Sequence, residues 1–151
     1  MQVKAEIVAI GSELLLGQIV DTNSAWMAQR LADIGVNLFY KTVVGDNPDR
    51  MKEVISRALY RSDIVITSGG LGPTQDDITR EIVAEVANQK LIEDPELIKQ
   101  IEERFQRRGV LITPNNLRQA LIPENAIPVA NPNGTAPAFI VEETQGAVIC
   151  L

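Results

Sequence analysis

Apolar positions in this chain fall into short continuous runs separated by stripes of helical spacing. Residues 3–10 carry Val3, Ala5, Ile7, Val8, Ala9 and Ile10 with few polar breaks, residues 36–44 form a second run, and residues 63–67 a third with β-branched Ile64, Val65, Ile66 and Thr67. Runs of this kind suit central strands covered on both faces. Between them, Trp26, Met27, Leu31 and Ile34 recur at helical spacing after Asn23 or Ser24 as cap, with Gly35 as stop. Met51, Val54, Ile55, Ala58 and Leu59 do the same after Asn47 and Pro48, and Ile78, Ile82, Val83 and Val86 predict a helix over residues 75–87. Three strand-loop-helix units in succession predict an α/β fold with right-handed parallel crossovers, every loop after a strand opening on one edge of the sheet.

Beyond residue 92 the pattern changes. Pro95 starts a helix with Leu97, Ile98, Ile101 and Phe105 on one face and a charged remainder, read as a solvated face rather than a binding patch. Thr113-Pro114 opens a second short helix with Leu117, Ala120 and Leu121. This pair is a short helical insertion, a flap or an oligomer contact. Short strands follow at residues 127–129, 139–142 and 147–151, so the chain stops inside an expected strand.

The third run empties into Ser68-Gly-Gly-Leu-Gly-Pro-Thr-Gln-Asp-Asp-Ile-Thr79. Gly69, Gly70 and Gly72 let a ligand approach the backbone and permit inward-turned amides, so Ser68, Gly69, Gly70, Gly72, Pro73 and Thr74 read as a phosphate cradle at a helix start. The loop lacks the Gly-Lys-Ser/Thr ending of a P-loop and the Gly-x-Gly-x-x-Gly of dinucleotide folds. At the same edge, Glu13, Asp21 and Asn23 are candidates to line a cleft, and Asp46 lies at the tip of the loop after the second strand. For Asp21, Asn23 and Asp46 plain turn and cap roles compete with ligand contact.

Composition narrows the chemistry. The 151 residues include no histidine and a single cysteine, Cys150, which excludes His-based acid/base catalysis, imidazole ligation, zinc-cysteine sites and an internal disulfide. The run around Cys150 reads as structural. A net charge of −6 argues against nucleic acid or an anionic membrane as partner. With no apolar run long enough to span a bilayer and no leader pattern in the first ten residues, a cytoplasmic protein of one domain over residues 1–151 is expected.

Two adjacent carboxylates at a phosphate loop repel the ligand its amides attract, by roughly 4 kcal/mol per pair at about 4 Å and an effective dielectric near 20. A bound divalent cation reverses that sign. Asp76 and Asp77, with Glu13 or Asp21 across the cleft, are therefore expected to hold a metal through oxygen while the loop grips phosphate. The competing reading is that Thr74 and Asp77 have capping-box-like spacing and suit a first helical turn.

The glycine loop, Gly11-Ser-Glu-Leu-Leu-Leu-Gly-Gln-Ile-Val-Asp-Thr-Asn23 and Asn131-Pro-Asn-Gly-Thr-Ala-Pro137 together resemble the N-terminal domain of the competence/damage-inducible CinA family, within the MoaB/Mog molybdopterin-binding fold. The resemblance spans essentially the whole chain. It implies a three-layer αβα sandwich with a mostly parallel sheet, homo-oligomerisation and, in family members studied as enzymes, metal-dependent hydrolysis of ADP-ribose to AMP and ribose 5-phosphate. A related domain of eukaryotic FAD synthases hydrolyses FAD. Carried onto this sequence, it implies Asp76, Asp77 and Glu13 as catalytic residues, with Asp76 and Asp77 on a divalent metal, magnesium or cobalt, with or without potassium. No haem, flavin or zinc-cysteine site is implied. Asn131, Pro132, Gly134, Thr135 and Ala136 complete the nucleotide or pterin pocket. The alternatives are a molybdopterin- or nucleotide-binding module without turnover, and a regulatory competence protein. Ala138 stands where the family often has glycine, and the family continues past Leu151 into a Pro-Gly-Val-Pro segment, so the chain reads as shortened at its C-terminal end and without the family's amidase domain.

Overall fold

The computed structural model describes residues 2–144 and 146–151; Met1, where the stretch read for a leader begins, lies outside them. Strands β1 (Lys4–Ile10), β2 (Asn37–Val44) and β3 (Ile64–Ser68) alternate with helices α1 (Ser12–Leu15), α2 (Thr22–Asp33), α3 (Pro48–Arg61) and α4 (Thr79–Val86). After β4 (Leu91–Glu93) come α5 (Pro95–Arg107), α6 (Pro114–Leu117), a 3-10 turn (Arg118–Ala120) and β5 (Leu121–Pro123), then β6 (Ile127–Val129), β7 (Ala138–Glu143) and β8 (Gly146–Cys150).

The main sheet has the order β2-β1-β3-β8-β7-β6. β1 pairs in parallel with β2 and β3, and β3 with β8, whereas β7 runs antiparallel to β8 and β6 to β7. The sheet is thus mostly parallel, with helices on both faces. On one face Val8, Ile10 and Val65 pack with Met51, Ile55, Ile82 and Val83 of α3 and α4. On the other, Ala5, Ile7 and Ile66 meet Met27 and Leu31 of α2. Full burial of Ile7, Met51 and Ile55 stabilises the fold by about 1.5–3 kcal/mol each.

Caps explain where helices start. Asn47 accepts the Arg50 amide at 3.1 Å ahead of Pro48, as its sequence position predicts. For α2 the cap is Asp21, not Asn23 or Ser24, because the Asp21 carboxylate accepts the Ser24 amide at 3.0 Å. Trp26 and Ile34, expected on the apolar face of α2, are 61% and 74% exposed; of the four apolar positions expected there, Met27 and Leu31 are buried in the core, with Ala28 packed beside them. The helix expected from residue 75 begins only at Thr79. Asp77 turns back to Thr74 instead of capping, and the Thr79 hydroxyl donates to the Gly69 carbonyl at 2.8 Å.

The helical insertion rises from an antiparallel ribbon of β4 and β5 that the periodicity did not reveal, since each strand has three residues. Leu97, Ile101, Ala120 and Ile122 anchor it in the larger core cluster.

Candidate active-site cleft

β1 and β3 end side by side, and the loops beyond them open a cleft of about 620 Å³. Ile10, Glu13, Leu14, Ile19 and Val20 line it, with Asp21, Asn23 and Trp26 at the start of α2, Ser68, Gly69, Gly70, Leu71 and Gly72 after β3, and Asn131, Ala136 and Leu151.

The glycine loop takes its shape from donors on its inner side. The Thr79 amide donates to Gly70 O at 3.1 Å, Arg80 donates to Leu71 O and, at 3.3 Å, to Gly72 O, and Arg118 donates to Thr74 O at 3.1 Å. With its carbonyls held inward, the loop leaves the Gly70 and Leu71 amides without an acceptor among the described residues. Gly69 has φ +112° and an ideal Cβ there would lie 2.2 Å from Ile10 O; at Gly70, φ +70°, it would lie 2.1 Å from the Thr79 hydroxyl. Only glycine fits either position.

Arg80 is 1% exposed and makes no ion pair among the described residues. Burial lowers its pKa, yet an arginine side chain stays charged at neutral pH, so a desolvated cation lies directly under the loop. Asp77 sits on the same loop. One of its oxygens accepts the Thr74 amide at 2.9 Å and the Thr74 hydroxyl at 2.6 Å. Burial opposes its charge, but hydrogen bonds from Thr74 and the Gly72 amide, with the Arg80 charge, prevail and hold its pKa below the usual carboxylate value.

Asp21 behaves similarly: burial raises its pKa, the Ser24 and Lys41 contacts outweigh that, and the net shift is downward. Lys41 Nζ lies 3.1 Å from its second oxygen, Oδ2, which is buried. Asn131 folds its own loop, its Oδ1 accepting the Asn133 and Gly134 amides at 3.1 and 2.9 Å while its Nδ2 donates to Ala136 O at 2.8 Å. Arg104 of the insertion donates to Asn131 O at 2.7 Å, tying α5 to the cleft rim.

A family model described as a probable molybdopterin binding domain matches residues 6–151. The chain belongs to that family. Within it, the chain is 49% identical over 148 residues to a competence-damage inducible protein of Clostridium beijerinckii, covering 98% of this chain and 36% of that protein. It is 47% identical over 148 residues to a CinA-like protein of Dictyoglomus thermophilum, again 98% and 36%. The chain therefore spans about a third of the length of these relatives. Among solved structures, CinA of Thermoplasma acidophilum, described as of unknown function, superposes with a TM-score of 0.90 at 36% identity, covering 99% of this chain and 88% of that one. MoaB of Thermus thermophilus, a molybdopterin biosynthesis enzyme, shares the fold, with a TM-score of 0.65 at 19% identity over 99% and 80% of the two chains. The expected CinA-type, MoaB/Mog-like domain is thus the domain observed.

Within this molybdopterin-binding-like domain, Glu13, Asp21, Asn23, Ser68, Gly69, Gly70, Gly72, Asn131 and Ala136 converge on the cleft. Pro73, Thr74, Asp76, Asp77, Asp46 and Pro132 are outside its lining, and Gly134 and Thr135 face a small second hollow of about 30 Å³ beside Arg104. Asp46 accepts the Ser12 amide at 2.9 Å and the Ser12 hydroxyl at 2.8 Å, fastening α1 to the end of β2. Cys150 is buried, which pushes its thiol up to about 12 and leaves it a structural residue. Arg80, Arg118 and Trp26 escaped the reading of the sequence as site residues, since charges and an aromatic on helices carry no spacing that marks them.

Among the described residues no three acidic or cysteine side chains converge as a cation cage. Asp77 is committed to Thr74, while Asp76 is exposed and takes no hydrogen bond or ion pair from the described residues. The donor set thus does not fit a cation held by protein alone. A cation there would have to take most of its shell from ligand phosphate oxygens and water, since the carboxylates that line the cleft are those of Glu13 and Asp21, and Asp76 and Asp77 lie outside it. Bound so, the cation would offset phosphate charge and polarise phosphorus.

Proposed function

We propose that this domain binds a phosphate-bearing nucleotide or pterin in the cleft and, as the finer reading, hydrolyses the pyrophosphate of ADP-ribose, with one water consumed, to AMP and ribose 5-phosphate. The observation that carries the reading is the pair of acceptor-free amides at Gly70 and Leu71 above the buried Arg80 cation. Such a loop stabilises a phosphate oxygen through two backbone donors and a fixed positive field that needs no reorganisation. Glu13, Asp21 and Asn23 lie across the same cleft, where they orient a ligand and its water.

The test is AMP release from ADP-ribose with magnesium or cobalt by the wild-type chain, Gly70→Ala, Asp76→Ala and Asp77→Ala. The reading expects at least a tenfold loss in each variant; equal turnover in all four rejects it.

A second reading, binding without turnover, is favoured by Asp77, whose carboxylate is spent on Thr74 rather than aimed into the cleft. Heat stabilisation by AMP or molybdopterin with no product from ADP-ribose would select it. On either reading a second copy of the chain and a cytoplasmic setting are part of the proposal, and DNA is not a partner, consistent with the net charge of −6.

A further inference from the structure

The cleft has two chemically different ends. One is the glycine loop with its open amides; the other is an apolar wall of Leu14, Ile19, Val20 and Trp26. Trp26 is 61% exposed although Met27 and Leu31 of the same helix suffice for the core. A tryptophan left this open inside a concave site has an indole face free for a ligand. The Arg30 guanidinium lies one turn along α2, 5.6 Å from the ring centroid, and supports the indole as a cation–π partner. Asn23, three residues before Trp26 and so on the same side of the helix, also lines the cleft. Its amide offers both a donor and an acceptor, the pair that reads the edge of a purine or pterin ring.

The geometry points to a ring subsite in which Trp26 stacks on a planar nitrogen heterocycle and Asn23 reads its edge, while the glycine loop holds the phosphate of the same molecule. The inference rests on the phosphate-binding reading of the cleft and adds to it the residues that select for the ring, Trp26 and Asn23, through which heterocycle phosphates are held over sugar phosphates that lack it.

Trp26 is the single tryptophan of the chain, so intrinsic fluorescence reports this position alone. Titration with AMP or with a pterin phosphate is expected to quench the emission saturably, and ribose 5-phosphate to bind without quenching. By calorimetry Trp26→Ala loses on the order of 5- to 100-fold in affinity for the ring-bearing ligand, the range found when base–aromatic stacking is removed. Trp26→Phe keeps most of that affinity, and ribose 5-phosphate binds all three proteins alike. Which of the two ring ligands binds more tightly separates a nucleotide from a pterin. Unchanged AMP and pterin-phosphate affinity in Trp26→Ala, with binding still abolished in Gly70→Ala, overturns the ring subsite and leaves the phosphate reading standing. Failure of every phosphate to bind the wild-type chain overturns both. Because the indole is outside the core, the circular dichroism spectrum of Trp26→Ala should match wild type, which ties any loss to the ligand.

Discussion

Asp77 holds Thr74 twice, through the amide at 2.9 Å and the hydroxyl at 2.6 Å, and closes the glycine loop with a bond pattern that resembles a helix cap but caps no helix. The charge of Asp77 is what these donors favour. Its folded pKa is depressed, so the interaction stabilises the fold fully above the ordinary carboxylate value of 3.8 and is lost as pH falls through the lower folded value. Asp77→Asn should cost about 1 kcal/mol at pH 7 and less below pH 3. Chemical denaturation at both pH values checks this; an equal cost at the two would show that the charge contributes nothing.

Arg80 reaches two loop carbonyls from a position 1% exposed, and no carboxylate pairs with it within ion-pair distance among the described residues. Arg80→Met leaves those carbonyls without donors, at a cost of about 2–4 kcal/mol, and removes the cation beneath the amides. Phosphate or AMP affinity should fall at least fivefold, with partial recovery in Arg80→Lys. AMP affinity equal to wild type in a folded Arg80→Met would refute a role for this charge in anion binding.

Gly69 and Gly109 both have positive φ, +112° and +64°, but a Cβ at Gly69 meets Ile10 O at 2.2 Å whereas at Gly109 nothing lies within 4 Å. Gly109→Ala is therefore expected to cost about 1 kcal/mol, the conformational term alone. Gly69→Ala adds a backbone clash against β1 and should exceed roughly 3 kcal/mol. Urea unfolding of the two variants decides the point, and similar midpoints would mean that the loop yields.

Glu6 is fully buried, and Arg61 grips it through two hydrogen bonds of 2.7 and 2.8 Å while Thr42 donates a third at 2.8 Å. Arg61 keeps about a third of its side chain in solvent and stacks 3.6 Å above the Tyr40 ring. The two deletions should thus be unequal. Arg61→Ala strands a carboxylate with no access to water and is expected to cost about 3–5 kcal/mol, while Glu6→Ala frees a guanidinium that can rehydrate and costs less. Thermal melts of both variants test the order; the reverse order would show that packing, not charge, sets the energy of the pair.

Much of the architecture was legible because it follows from local periodicity. The continuous apolar runs at β1 and β3, the Asn47-Pro48 start of α3 and the Pro95 start of α5 are local signals, and local physics decides them. The start of α4 was not, because a Thr-x-x-Asp spacing at residues 74–77 serves a loop turn as well as a cap, and only Thr79, committed to Gly69 O, shows which occurs. The β4–β5 ribbon was hidden for a different reason: three-residue strands carry almost no period, and their pairing joins residues about thirty apart in sequence.

The sequence by itself determined the parallel α/β frame, the glycine loop at the end of β3 and the absence of histidine chemistry, since each depends on residue type and near-neighbour spacing. Tertiary structure alone decided that β8 sits between β3 and β7, that Arg80 points under the loop, and that Trp26 and Asn23 share a cleft with it while Asp76 and Asp77 do not. Those are relations between segments brought together by burial of a common core. No local pattern encodes which way a charged or aromatic side chain turns once the core is closed.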